Sequence, residues 1–106
     1  MSTLSEQEFR VKSDEALESA RQALLPVADE REFEVELQGG VLHVVFEEPR
    51  DAKFVISPNA PVRQIWVSAM SRSFKLPWDA DRHLFALGSE SLADLLGRLC
   101  LEFLAS

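Results

Sequence analysis

The sequence of 106 residues holds a single cysteine, Cys100. A lone thiol excludes an internal disulfide and a cysteine-built zinc site. No apolar run approaches the ~18 residues that a membrane-spanning helix needs. The opening Met1-Ser2-Thr3-Leu4-Ser5-Glu6 lacks the basic start and apolar stretch of a secretory leader, and its early acid disfavours a transit peptide. A cytoplasmic location is therefore expected, with a matured organellar form as the alternative. Basic residues are also scarce, 11 against 18 acids, for a net charge of −7. Nucleic-acid binding needs a basic footprint, so that class is excluded. There is no glycine-rich phosphate loop, serine elbow or Cys–His nucleophile pattern, and no conventional active site. His43 and His83 stand apart without ligand-spaced partners, and His43 is expected to be solvated.

What is present suits one globular domain spanning residues 1–106: 46% of residues are hydrophobic and 27% charged. The charge is lopsided. Residues 1–48 carry 12 acids and 4 bases, while residues 49–106 carry 6 acids and 7 bases. The acidic character belongs to the first half, and points to cations or basic protein surfaces.

Residues 4–25 read as a helix with Phe9, Ala16, Leu17, Ala20 and Leu24 on one face, stopped by Pro26. Glu32 to Leu37 alternates strictly, with Phe33, Val35 and Leu37 inward and three glutamates outward. Gly39-Gly40 supplies a hairpin turn, and Leu42, Val44 and Phe46 continue the inward face. Further strands are expected over 53–57, over 63–69, around Phe74 and Leu76, and over 83–87 with unclear parity. A closing helix from about residue 91 to 104 opens on Ser91 and Asp94, which match a capping box. The pattern predicts an α+β two-layer sandwich: an antiparallel sheet of five to six strands packed on N- and C-terminal helices, its other face meeting water.

Two surfaces could carry function. One is acidic: Glu8, Asp14, Glu15 and Glu18 on the helix, then Asp29, Glu30, Glu32, Glu34 and Glu36. With the first strand at the sheet edge beside the helix, these rows merge into one patch. Such carboxylates suit hard cations weakly, or a Lys/Arg-rich protein surface, or simply solvate a helix and guard an edge strand. The other is Trp66. Burying it would expose Ile65 and Val67 and bury Gln64 and Ser68, so parity places it outward. An exposed tryptophan on a sheet face resembles an interaction hot spot. Cys100, beside the last helix's apolar stripe, is expected to be a buried, inert thiol.

Three segments carry a resemblance to the frataxin family: Glu36-Leu37-Gln38-Gly39-Gly40-Val41-Leu42, Pro61-Val62-Arg63-Gln64-Ile65-Trp66-Val67-Ser68, and Ser91-Leu92-Ala93-Asp94-Leu95-Leu96. The Gln-Ile-Trp segment is the specific one. The resemblance implies a protein that binds iron weakly through an acidic ridge and regulates iron–sulfur cluster assembly by contacting the cysteine desulfurase and its scaffold protein. It implies Asp14, Glu15, Glu18, Glu30, Glu32 and Glu34 as the ridge, and Trp66 as the partner-contacting residue with Asn59, Gln64 and Lys75 nearby. Ferroxidase activity is credited to some members. The resemblance also has departures: Leu24-Leu25-Pro26 stands where further acids are usual, Arg21 and Arg31 interrupt the patch, and His83 occupies a position usually held by tryptophan. A monomer is expected. The alternatives are an interaction module without significant iron binding, or a small acidic secretion chaperone, which would need a helix within residues 32–88.

Overall fold

The structure, a computed structural model, describes residues 4–106. Helix α1 spans Glu6–Arg31. Ser5 starts it with a full capping box: its Oγ accepts the Glu8 N–H at 3.1 Å, and Glu8 Oε1 accepts the Ser5 N–H at 2.9 Å. The buried stripe is Phe9, Ser13, Leu17, Ala20, Leu24 and Ala28. Ser13 thus joins the stripe, while the expected Ala16 flanks it half-buried.

Pro26 does not stop α1. The helix passes through it and ends where Glu32 takes a left-handed conformation, φ 61°. Proline deletes one backbone donor and crowds the preceding turn. Here Leu24 and Ala28 are both buried, so packing on either side of Pro26 holds the helix together.

Seven strands follow: β1 (Glu34–Gln38), β2 (Val41–Phe46), β3 (Ala52–Asn59), β4 (Gln64–Ala69), β5 (Arg72–Asp79), β6 (Leu84–Leu87) and β7 (Glu90–Ser91). They form one sheet in chain order, every pair antiparallel. The strand beyond the expected six is β7, two residues paired with Ala86 and Leu87 immediately before the last helix. The first strand starts at Glu34 rather than Glu32, because Glu32 is consumed in capping α1. Likewise the fourth starts after Arg63, whose left-handed backbone (φ 54°) closes a 3-10 turn over Ala60–Val62. The Arg63 guanidinium donates to the Leu4 carbonyl at 3.0 Å and to that of Ala60, tying the start of α1 to the β3–β4 connection.

Helix α2 spans Leu92–Leu104. Ser91 Oγ accepts the Asp94 N–H at 3.2 Å, the one half of the expected capping box that forms among the described residues. Both helices cover the same sheet face. The core between them includes an aromatic cluster in which Phe46 meets Phe33 (4.8 Å between centroids), Phe54 (5.0 Å) and Phe103 (4.5 Å). Cys100 is fully buried among these layers. No described helix is long and apolar enough to cross a membrane. The described residues between 32 and 88 hold no α-helix, only strands and one 3-10 turn.

Candidate functional site

The uncovered sheet face is built by strand alternation. On β4, Ile65, Val67 and Ala69 are buried, so Gln64, Trp66 and Ser68 project the other way. Trp66 remains 37% exposed. Register then sets its neighbours: Trp66 lies between Ser57 on β3 and Lys75 on β5, and Gln64 lies beside Asn59. The Trp66 Nε1–H donates to Gln64 Oε1 at 2.9 Å, and Lys75 Nζ sits 4.9 Å from the Trp66 ring centroid. Asn59, Gln64, Trp66 and Lys75 therefore occupy two adjacent rows of one face. The indole has its polar atom satisfied and a cation against its π-surface, while its apolar area still meets solvent. Both contacts restrict the ring, so it has less rotamer freedom left to lose against another surface.

The row through Trp66 runs Ser57, Trp66, Lys75 across β3, β4 and β5, and the β1–β2 pair Gln38–Val41 lies one residue beyond the last β2–β3 pair, Leu42–Ile56. The next row runs Glu36, His43, Val55, Ser68, Ser73. His43 faces outward, as expected, but is half-buried in this row rather than freely solvated.

The acidic residues fall into three groups. Asp14, Glu15 and Glu18 line a shallow concavity on α1 with Ser19 and Gln22. Glu30 and Glu32 lie at the other end of the helix, with Glu30 about 18 Å beyond Glu18 at 1.5 Å rise per residue. Glu34 is on β1, which is the sheet edge, but it projects with Glu36 onto the face opposite the helices. The expected single patch is thus divided, because α1 continues past Pro26 and strand parity turns Glu34 away. Internal cations intrude as well. Glu18 accepts Arg21 Nε at 3.0 Å, Arg21 Nη2 at 2.7 Å and Gln22 Nε2 at 2.8 Å. These bonds, that from Arg21 foremost, hold its carboxyl down at about 2. Lys12 Nζ lies 3.7 Å from Glu15. Among the described residues, no three His, Cys, Asp or Glu side chains are grouped to hold a metal ion. Separate, partly paired carboxylates bind hard cations weakly and with little selectivity.

One residue escaped the sequence reading. Trp78 follows Phe74 and Leu76 at two-residue spacing on β5, a parity signal for the covered face. It is half-buried, with its ring 5.1 Å from Phe85 and 6.4 Å from His83. His83 itself is exposed with φ 58°, held in a turn where Arg82 bridges Asp79 and the Gly88 carbonyl, each at 2.7 Å.

A family model described as a frataxin-like domain matches residues 2–105. The chain belongs to the frataxin family. Relatives named iron-sulfur cluster assembly protein CyaY include that of Pseudomonas aeruginosa, 32% identical over 90 residues (81% of this chain, 82% of the relative). That of Azotobacter vinelandii is 30% identical over 92 residues, covering 83% and 82% respectively. Among solved structures, a frataxin from Psychromonas ingrahamii superposes with a TM-score of 0.67 at 14% identity, covering 94% of this chain and 91% of that one. That similarity extends to the fold, two helices on an antiparallel sheet. Of the Gln64-Ile65-Trp66 pattern that carried the resemblance, Gln64 and Trp66 project from the uncovered face while Ile65 packs in the core.

Proposed function

We propose that this chain acts in iron–sulfur cluster assembly as a cytoplasmic, monomeric regulator that docks through its uncovered sheet face. Trp66 is the anchor, with Asn59, Gln64 and Lys75 around it, and the cysteine desulfurase and its scaffold protein are the partners. The observation that carries this reading is the exposed Trp66 ring, fixed by Gln64 and Lys75 on a flat face. The relatives' shared name, iron-sulfur cluster assembly protein, supports the process. Weak ferrous-iron binding by Asp14, Glu15, Glu18, Glu30, Glu32 and Glu34 is a secondary property. A second reading, an interaction module without useful iron affinity, is favoured by the Arg21–Glu18 pair and by the spread of the acids.

Separate titrations of ferrous iron and of purified desulfurase into wild type and Trp66→Ala test both. The expected result is desulfurase binding that weakens in the variant, with iron uptake unchanged. Absence of binding to either would overturn the proposal.

A further inference from the structure

A cleft of about 520 Å³ opens between the first turns of α1 and the β1–β2 hairpin, within the ~300–1,000 Å³ common for ligand sites. Its apolar lining includes Phe9, Val41 and Pro58. Gly39 and Gly40, both at positive φ, form the hairpin side, and a Cβ on either would meet nothing within 4 Å, so the mouth is open there. Ser13 lines the cleft although the residue is 2% exposed; its hydroxyl donates to the Arg10 carbonyl at 3.1 Å, which leaves its oxygen free to accept. Glu6, Arg10 and Asp14 also line it; they follow one another at four-residue spacing on α1, and Arg10 is the single cation among the lining residues. Arg10 Nη2 is 3.8 Å from Glu6 Oε2, and both side chains are well exposed (74% and 64%), a loose pairing that a competitor can displace.

We propose that this cleft receives an arginine side chain from a docking partner, its methylenes against Phe9, Val41 and Pro58 and its guanidinium at the Asp14 carboxylate and the Ser13 hydroxyl, with Glu6 adding negative charge a little further along α1. The charged lining is net negative, two acids against Arg10, and Glu6 already pairs with one guanidinium a turn along α1. The cleft also adjoins the Trp66 row: Ser57 belongs to both. Ser57, which lines the cleft, is the direct cross-strand neighbour of Trp66, about 5 Å away, so both fall inside the footprint of one partner. Only the identity of the molecule that brings the arginine rests on the docking function proposed above.

The test uses N-acetyl-arginine amide titrated into the full chain, followed by amide chemical shifts, with N-acetyl-leucine amide as control. Saturable shifts are expected at Ser13, Gly39, Gly40 and Val41 with the arginine probe alone. Glu6→Gln with Asp14→Asn should weaken the probe roughly fivefold or more. Arg10→Ala should tighten it, because the internal competitor is gone. No shifts at these residues, equal shifts from the leucine probe, or indifference to both variants would overturn the site. None of these outcomes bears on desulfurase binding through Trp66, which the titration above measures separately.

Discussion

Arg21 grips both carboxylate oxygens of Glu18, Nε on Oε1 at 3.0 Å and Nη2 on Oε2 at 2.7 Å, one turn along the same helix. An acid with both oxygens engaged by a guanidinium must give up that partner before it can ligate a cation. Arg21→Ala is therefore expected to strengthen divalent-cation binding at Asp14, Glu15 and Glu18, read by calorimetry. Carboxyl chemical shifts supply the second reading. Glu18 titrates near 2 in the native chain and should move toward 4.5 in Arg21→Ala. Because the native pKa is lowered, what this pairing adds to stability is present above pH 4.5 and disappears as pH falls through about 2.

Trp66→Ala should leave the fold nearly unchanged, by less than about 1 kcal/mol, since the ring projects from the uncovered face. Desulfurase affinity should fall about thirtyfold, the ~2 kcal/mol of an aromatic hot spot. A stability loss that matches the binding loss would show the ring to be structural instead.

Pro26→Ala restores the backbone donor missing from α1 and removes the ring's crowding of the preceding turn. The expected gain is about 1–3 kcal/mol, reduced by the looser unfolded chain. Urea unfolding measures it, and an unchanged midpoint would mean that the helix has already absorbed the cost.

Phe46→Ala removes the ring shared by Phe33, Phe54 and Phe103. A loss of about 3–5 kcal/mol is expected, from lost burial and a cavity between sheet and helices.

Cys100 is fully buried, and that burial pushes its thiol up to about 12. The native protein should resist alkylation near neutral pH and react promptly in urea. The sign is opposite to that of Glu18: the folded thiol keeps its proton longer than the unfolded one, so stability falls as pH rises from 9 toward 12. Rapid native-state alkylation at pH 7 would contradict this.

Much of the architecture could be read directly from the chain because one sheet face is buried. Ile65, Val67 and Ala69 had to face inward together, and that alone sends Trp66 outward. Gly39-Gly40 and Ser91 mark a turn and a helix start by their local chemistry. Pro26 misled because a local rule was overridden by burial of Leu24 and Ala28 on either side of it. β7 was invisible since two residues carry no periodicity. The acidic surface was legible as composition but not as geometry: the Arg21–Glu18 grip depends on side-chain conformation, and the division of the acids depends on where α1 ends. Trp78, two residues beyond Leu76, carries the same parity signal as Phe74 and Leu76.

The Arg63 guanidinium reaches Leu4 at one end of β3, and Arg50 reaches Ser106 near the other, with a 3.0 Å bond in each case. The eight residues of β3 put about 23 Å between those ends. A load applied through Leu4 and Ser106 would thus run along the strands and shear α1 across the sheet rather than peel one hairpin at a time. The two bonds fasten Leu4 and Ser106 at opposite ends of the same strand.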